Sequence, residues 1–196
     1  PANVKGALPP SGTPEYFMSD YGSNTSMKLW KFTTNWATPA SSTFTGPTSF
    51  AVASFTRPSS NSVRQLNSTE RLDTLGDRLM TWLQYRNING TQSLWVSRTV
   101  KVSSSSYGIR WMEVRNMSGT PSVYQQGTYA PDGFFRWMAS PAIDARGNIG
   151  IGYSFGGTPH FVGQRFAARL AEDPPGRMTL GEAVLVEGEA SQAAMR

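Results

Sequence analysis

Three arginines, Arg78, Arg110 and Arg136, each stand near the start of a predicted strand. A guanidinium is a planar fork that grips a carboxylate through two parallel bonds. Three of them converging on one place would make a strong site for an acidic ligand. Asp77, Glu113, Tyr129 and Asp132 lie near them in sequence, so proton-transfer or nucleophilic groups fall in the same region. Arg78, Arg110, Arg136 and Asp132 are therefore the catalytic candidates. The competing reading is structural: each arginine pairs with a carboxylate, or lays its stem on Trp82 or Trp137. Buried arginine is ordinarily paired.

Other chemistries have less to stand on. His160 is the single histidine and lies in a glycine-rich stretch, Thr158-Pro159-His160. A Ser-His-Asp triad would have to use it, and no Gly-x-Ser-x-Gly elbow is present. There is no cysteine, which excludes disulfides and thiolate metal sites. Calcium could use Asp132 or Asp173 with backbone carbonyls, but no EF-hand-like spacing supports it, and no cofactor is expected. The stretch GTYAPDGFFRW (127–137) reads as a loop followed by a strand. Its Tyr129, Asp132, Phe134 and Phe135 are the binding candidates, the three aromatics as platforms for a sugar ring or a peptide. Core packing is the alternative for such aromatics.

The charge distribution is mild. Residues 1–171 carry 16 Lys/Arg against 8 Asp/Glu, and residues 172–196 carry 2 against 5. The basic residues are scattered singly, so no nucleic-acid partner is expected. No apolar run approaches the ~18–20 residues needed to cross a bilayer, so no membrane span is expected.

The elements that must position these residues are short strands. Serine, threonine, glycine and aromatics are abundant, and long helical patterns are missing. The clearest unit is FRWMASPAIDARGNIGIGYSF (135–155), with a strand over 136–143, a turn around Asp144–Asn148 and a return over 149–154. Gly147 supplies the positive φ of the turn. Gly150 and Gly152 alternate with Ile149, Ile151 and Tyr153. One face is therefore apolar and the other nearly bare, as suits a strand crowded by a neighbouring sheet. Residues 78–97 repeat the plan, with strands over 79–85 and 93–100. Arg78-Leu79-Met80 precedes Arg136-Trp137-Met138 by 58 residues, and Gly90 precedes Gly147 by 57. A third, weaker hairpin covers 16–19 and 27–33. Outer strands are expected over 48–52, 109–115, 122–126, 164–170 and 182–186.

Four strands in roughly 50–60 residues is the size of a β-propeller blade. The fold expected is all-β: antiparallel four-stranded blades of an incomplete propeller, about two and a half to three of them where closure takes about 4–8. The units fall at about 15–52, 77–126 and 135–188. Residues 1–14 read as an extended Pro/Gly-rich arm, 53–76 as a long polar loop, and 193–196 as a frayed end.

Several phrases carry a family resemblance: PPSGTPEYF (9–17), LWKFTTNW (29–36), LDTLGDRLMTWLQYRN (72–87), GIRWMEVRN (108–116), VYQQGTYAPD (123–132), FRWMASPAIDARGNIGIGYS (135–154) and RLAEDPPGRMTLGE (169–182). Together they resemble the C-terminal portion of large secreted bacterial proteins with a sialidase-like, BNR-type β-propeller. The resemblance implies a secreted or cell-surface protein and a propeller short of blades. It also implies that preceding and following segments supply the missing strands, since the family pattern continues into another aromatic-rich blade where this chain reaches Arg196. A sialidase-type mechanism would use an arginine cluster, a tyrosine nucleophile assisted by a glutamate, and an aspartic acid. AIDARGNIGIGYS resembles an Asp-box hairpin only loosely, because the Ser-x-Asp-x-Gly-x-x-Trp order is not met. Asp144 is therefore expected to be a turn residue.

The function expected is binding of another polypeptide, which would complete the propeller, or of a glycan, with no evident catalytic machinery. An open sheet edge exposes unpaired backbone groups, which favours a polypeptide. A sialidase-like glycoside hydrolase is the alternative, and a structural surface or matrix protein a further one.

Overall fold

The computed structural model describes residues 2–193. The fold is all-β. Its strands are β1 (Ala2–Val4), β2 (Glu15–Ser19), β3 (Ser26–Thr33), β4 (Thr43–Ala51), β5 (Val63–Gln65), β6 (Ser68–Leu72), β7 (Met80–Ile88), β8 (Thr91–Lys101), β9 (Tyr107–Arg115), β10 (Ser122–Tyr129), β11 (Phe135–Ile143), β12 (Ile149–Gly157), β13 (His160–Arg169) and β14 (Leu180–Val186). The expected hairpins form with their boundaries moved by a few residues. The period-2 pattern and the turn glycines specify them locally. Between β7 and β8 the turn is only Asn89-Gly90, both at positive φ (50° and 82°). Between β11 and β12, Asp144 accepts from the backbone N–H of Arg146 and Asn148 at 2.8 and 2.9 Å, so it is a turn residue.

The strands lie in three stacked antiparallel layers. β2–β3–β4 make the first, β7–β8–β9–β10 the second and β11–β12–β13–β14 the third. A single parallel pair, Phe135 with Tyr107, joins the second and third into one curled sheet. One core lies between the first two layers, where Met27, Leu29 and Phe50 meet Leu94, Val96 and Met112. A second lies between the last two, where Trp95, Ile109 and Trp111 meet Ala139, Ile151 and Tyr153. Trp95 and Trp111 stack at 6.2 Å. Ser97 Oγ donates to the Ala139 carbonyl at 3.0 Å, and the Met138 N–H donates to Thr99 Oγ1 at 3.3 Å. The last two layers are thus held by polar bonds as well as by buried area.

The internal repeat is visible in the pairing. Thr81 and Met138, 57 residues apart, are both at positive φ (56° and 52°) inside a bulge of the first strand of their layer. Their neighbours Met80 and Trp137 pair with Ser97 and Ser154, again 57 apart. Arg136 therefore corresponds to Leu79, not to Arg78. The return strands, through Ser97 and Ser154, set this 57-residue register.

Two stretches expected to be irregular contain strands. The N-terminal arm adds β1 in parallel to β7, with Ala2 opposite Leu83. The polar stretch 53–76 holds the β5–β6 hairpin, whose Val63 and Leu72 are buried against Tyr107, Phe135 and Trp137. The frayed end expected over 193–196 lies, from residue 194 onward, outside the described residues.

Candidate functional site

Arg136 enters β11 with its guanidinium fully buried, at 0% exposure. Its Nη1 and Nη2 donate to the two oxygens of Asp132 at 2.7 and 2.8 Å, and its Nε donates to Glu182 Oε2 at 2.6 Å. Glu182 on β14 also accepts from the Tyr153 hydroxyl of β12 and from Arg165 Nη1 of β13, each at 2.7 Å. Arg165 reaches Glu187 as well, at 3.0 Å. The Phe155 ring lies 3.4 Å from the Arg165 guanidinium and 5.1 Å from that of Arg136. All four strands of the third layer thus send a polar side chain into one cluster.

The electrostatics follow from this packing. The Arg136 guanidinium holds the Asp132 carboxyl below the usual carboxylate range. Burial works to raise Glu182, but its bonds from Arg136, Arg165 and Tyr153 outweigh that and bring it down. Burial, then the bond to Glu182, pushes the Tyr153 phenol up, so it stays protonated at neutral pH. Burial opposes the charge on Arg136, and its two carboxylates outweigh the burial. All three donor nitrogens of this guanidinium are engaged within the protein.

The other two candidate arginines are elsewhere. Arg110 donates from Nε to Thr128 Oγ1 at 2.7 Å and from Nη1 to the Ala53 carbonyl at 3.0 Å. It pins the 53–56 segment to the second layer. Arg78 is 59% exposed and pairs in a fork with its neighbour Asp77 at 2.8 Å. It lines the mouth of a cavity of about 740 Å³ between β2 and β7, beside Tyr21 and Trp82. The three arginines share no partner. Of the catalytic candidates, only Arg136 and Asp132 come together.

Among the binding candidates, Tyr129 stands 6.0 Å from Tyr153, at the edge of the cluster. Phe134 packs edge-on against Phe155 and His160. Asp132 is committed to Arg136 and to the Phe134 N–H. Phe135 is 5% exposed and belongs to the core beneath the β5–β6 hairpin. Asp173 bonds the Leu170 N–H and the Thr179 hydroxyl. Among the described residues, no three His, Asp or Glu side chains gather as a metal site would require, and no helix is long and apolar enough to cross a membrane.

Two polar groupings escape sequence reasoning. Arg98, at 0% exposure on β8, pairs with Asp20, donates to the Gly76 carbonyl at 2.7 Å and lies 3.9 Å from the Phe55 ring. Arg57 reaches the same Asp20 carboxylate at 3.5 Å. The signal was one arginine inside the buried run Val96–Val100, which demands a partner. Tyr153, Arg165 and Glu182 were signalled only by their alternation onto the inward face.

The most distinctive surface is the outward face of the third layer. β8 is buried almost continuously, because layers cover it on both sides. β12 occupies the equivalent place in its layer yet alternates buried and partly exposed over residues 149–154, because its outward side is bare there. Toward Gly156 that side is covered by Trp137 and, beyond it, by the β5–β6 hairpin. Gly150 and Gly152 were expected to be crowded by a neighbouring sheet, but no atom lies within 4 Å of a Cβ placed on either. Around them the face carries Ala142, Phe166, Ala168 and Leu180, with Met138 39% exposed. By the 57-residue register, Gly152 and Ser154 correspond to Trp95 and Ser97, which are covered by β11. No family model, curated protein or solved structure matches this chain.

Proposed function

We propose that this chain is a segment of a β-propeller that binds another polypeptide through the outward face of its third layer. The observation that carries this is the contrast between β8 and β12. The same repeat position is covered on both sides in one layer and bare on one side in the next. Apolar surface left open in this way favours burial at about 25 cal/mol per Å². The bare glycines favour a partner that brings the bulk itself. The resemblance to secreted bacterial propeller proteins supports a location outside the cell or on its surface.

Oxidative footprinting tests the reading. Met138 should be oxidised readily by hydroxyl radicals in the purified chain at high dilution, where any bound polypeptide has dissociated, and protected in extracts of the cells that make it. Equal oxidation in both states would remove the docking face.

A second reading, sialidase-like glycoside hydrolysis, has one observation in its favour: the Tyr153 hydroxyl bonds a glutamate beside two arginines. Against it, Arg136 has no free fork and Tyr153 is buried and held protonated. Turnover of sialosides that is lost in Tyr153→Phe would support this reading, and its absence across sialosides and uronic-acid glycosides counts against it.

A further inference from the structure

The opposite end of the stack has a complementary surface. On the first layer, Met27 and Leu29 face the second layer, so the alternate residues face outward. These include Phe17 opposite Trp30 and Phe32 opposite Phe44. Phe17 and Phe44 meet edge to face at 5.5 Å, and Phe44 is 58% exposed. One end of the molecule therefore presents bulky aromatic rings, and the other presents glycines with open space above them.

The two ends also match in direction. Within the chain, each layer meets the next through the same sides. Leu94 on β8 faces back to the first layer, and its repeat equivalent Ile151 faces back to the second. The bare face of the third layer is a forward side, and the aromatic face of the first is a backward side. Forward meets backward wherever layers stack in this protein.

We infer that the polypeptide bound by the third layer is a second copy of this chain, with the aromatic face of β2–β4 on each copy covering the glycine face of β11–β14 on the other. This rests on the polypeptide-binding reading above and names its partner. A head-to-tail contact gives a ring if the rotation closes and a filament if it does not. Two copies supply twice three layers, and propellers close with about 4–8. Each copy then uses both its faces, and assembly stops at two chains.

Sedimentation of the full chain over a range of concentrations tests this. The expected species is twice the 21.4 kDa of one chain, with nothing larger. Gly152→Arg adds bulk and charge where nothing stands within 4 Å, and Phe44→Asp does so on the opposite face. Each should melt like wild type at dilutions where all are monomeric, and dissociate at least tenfold more readily. Mixing the two variants should restore dimer, because the intact aromatic face of one meets the intact glycine face of the other. A face-to-face dimer of like surfaces would show no such rescue. A wild-type monomer at 100 μM, a ladder of higher species, or no rescue on mixing would overturn the second copy as partner. Met138 protected in cell extracts while the purified chain is monomeric would leave the polypeptide reading standing and replace only the partner.

Discussion

Glu182→Ala should be among the most damaging single changes outside the apolar core. The carboxylate accepts from Arg136, Arg165 and Tyr153. Removing one partner of a buried ion pair costs about 3–5 kcal/mol, because a charge is left uncompensated. Two features reduce that here. Asp132 keeps its two bonds to Arg136, and Glu187 keeps its bond to Arg165. We expect a loss of about 2–3 kcal/mol, or about 4–12 °C in melting temperature for a domain of this size. Urea and thermal unfolding of the variant measure it. A double-mutant cycle with Arg136→Leu isolates the coupling: the two changes together should cost at least about 1 kcal/mol less than their sum. A Glu182→Ala protein within about 0.5 kcal/mol of wild type, or strictly additive changes, would refute the reasoning, since surface-type pairs behave in that way.

Acid should destabilise the fold through the same cluster. Asp132 and Glu182 have lowered folded-state pKa values, so their stabilisation is present above the unfolded values of about 3.9–4.3 and is lost as pH falls through the folded ones. Melting temperature should drop more steeply below about pH 4.5 in wild type than in Glu182→Gln. Gly127→Ala should fold poorly, because a Cβ there would overlap the Gly176 carbonyl oxygen, whereas Gly152→Ala should melt like wild type; circular dichroism melts compare the two. Gly90→Ala meets open space but must hold φ at 82°, so denaturant titration should record a loss of about 1 kcal/mol.

The hairpins were legible in the sequence because each is specified locally. The β11–β12 pair needs only the Ile/Gly alternation, Asp144 and Gly147. What was not legible depends on distant partners. The Arg-Leu-Met and Arg-Trp-Met triplets match at 58 residues, but pairing with β8 and β12 sets the offset at 57, so the equivalent of Arg136 is Leu79 and not Arg78. Val63 and Leu72 are single apolar residues in a polar stretch, and their burial depends on Tyr107, Phe135 and Trp137 far along the chain. Glu182 meets Arg136 across 46 residues, a pairing that no local pattern encodes. The glycine face shows the reverse case: the sequence suggested a neighbouring sheet, and the fold leaves that neighbour's place open.

The most direct test of that open place is a photo-crosslinking residue introduced at position 152 of the full chain in the cells that make it, with position 90 at a hairpin tip as control. Polypeptide adducts from position 152 alone, mapped by mass spectrometry to an apolar strand, are the predicted result. Equal, solvent-quenched products from both positions would contradict the account.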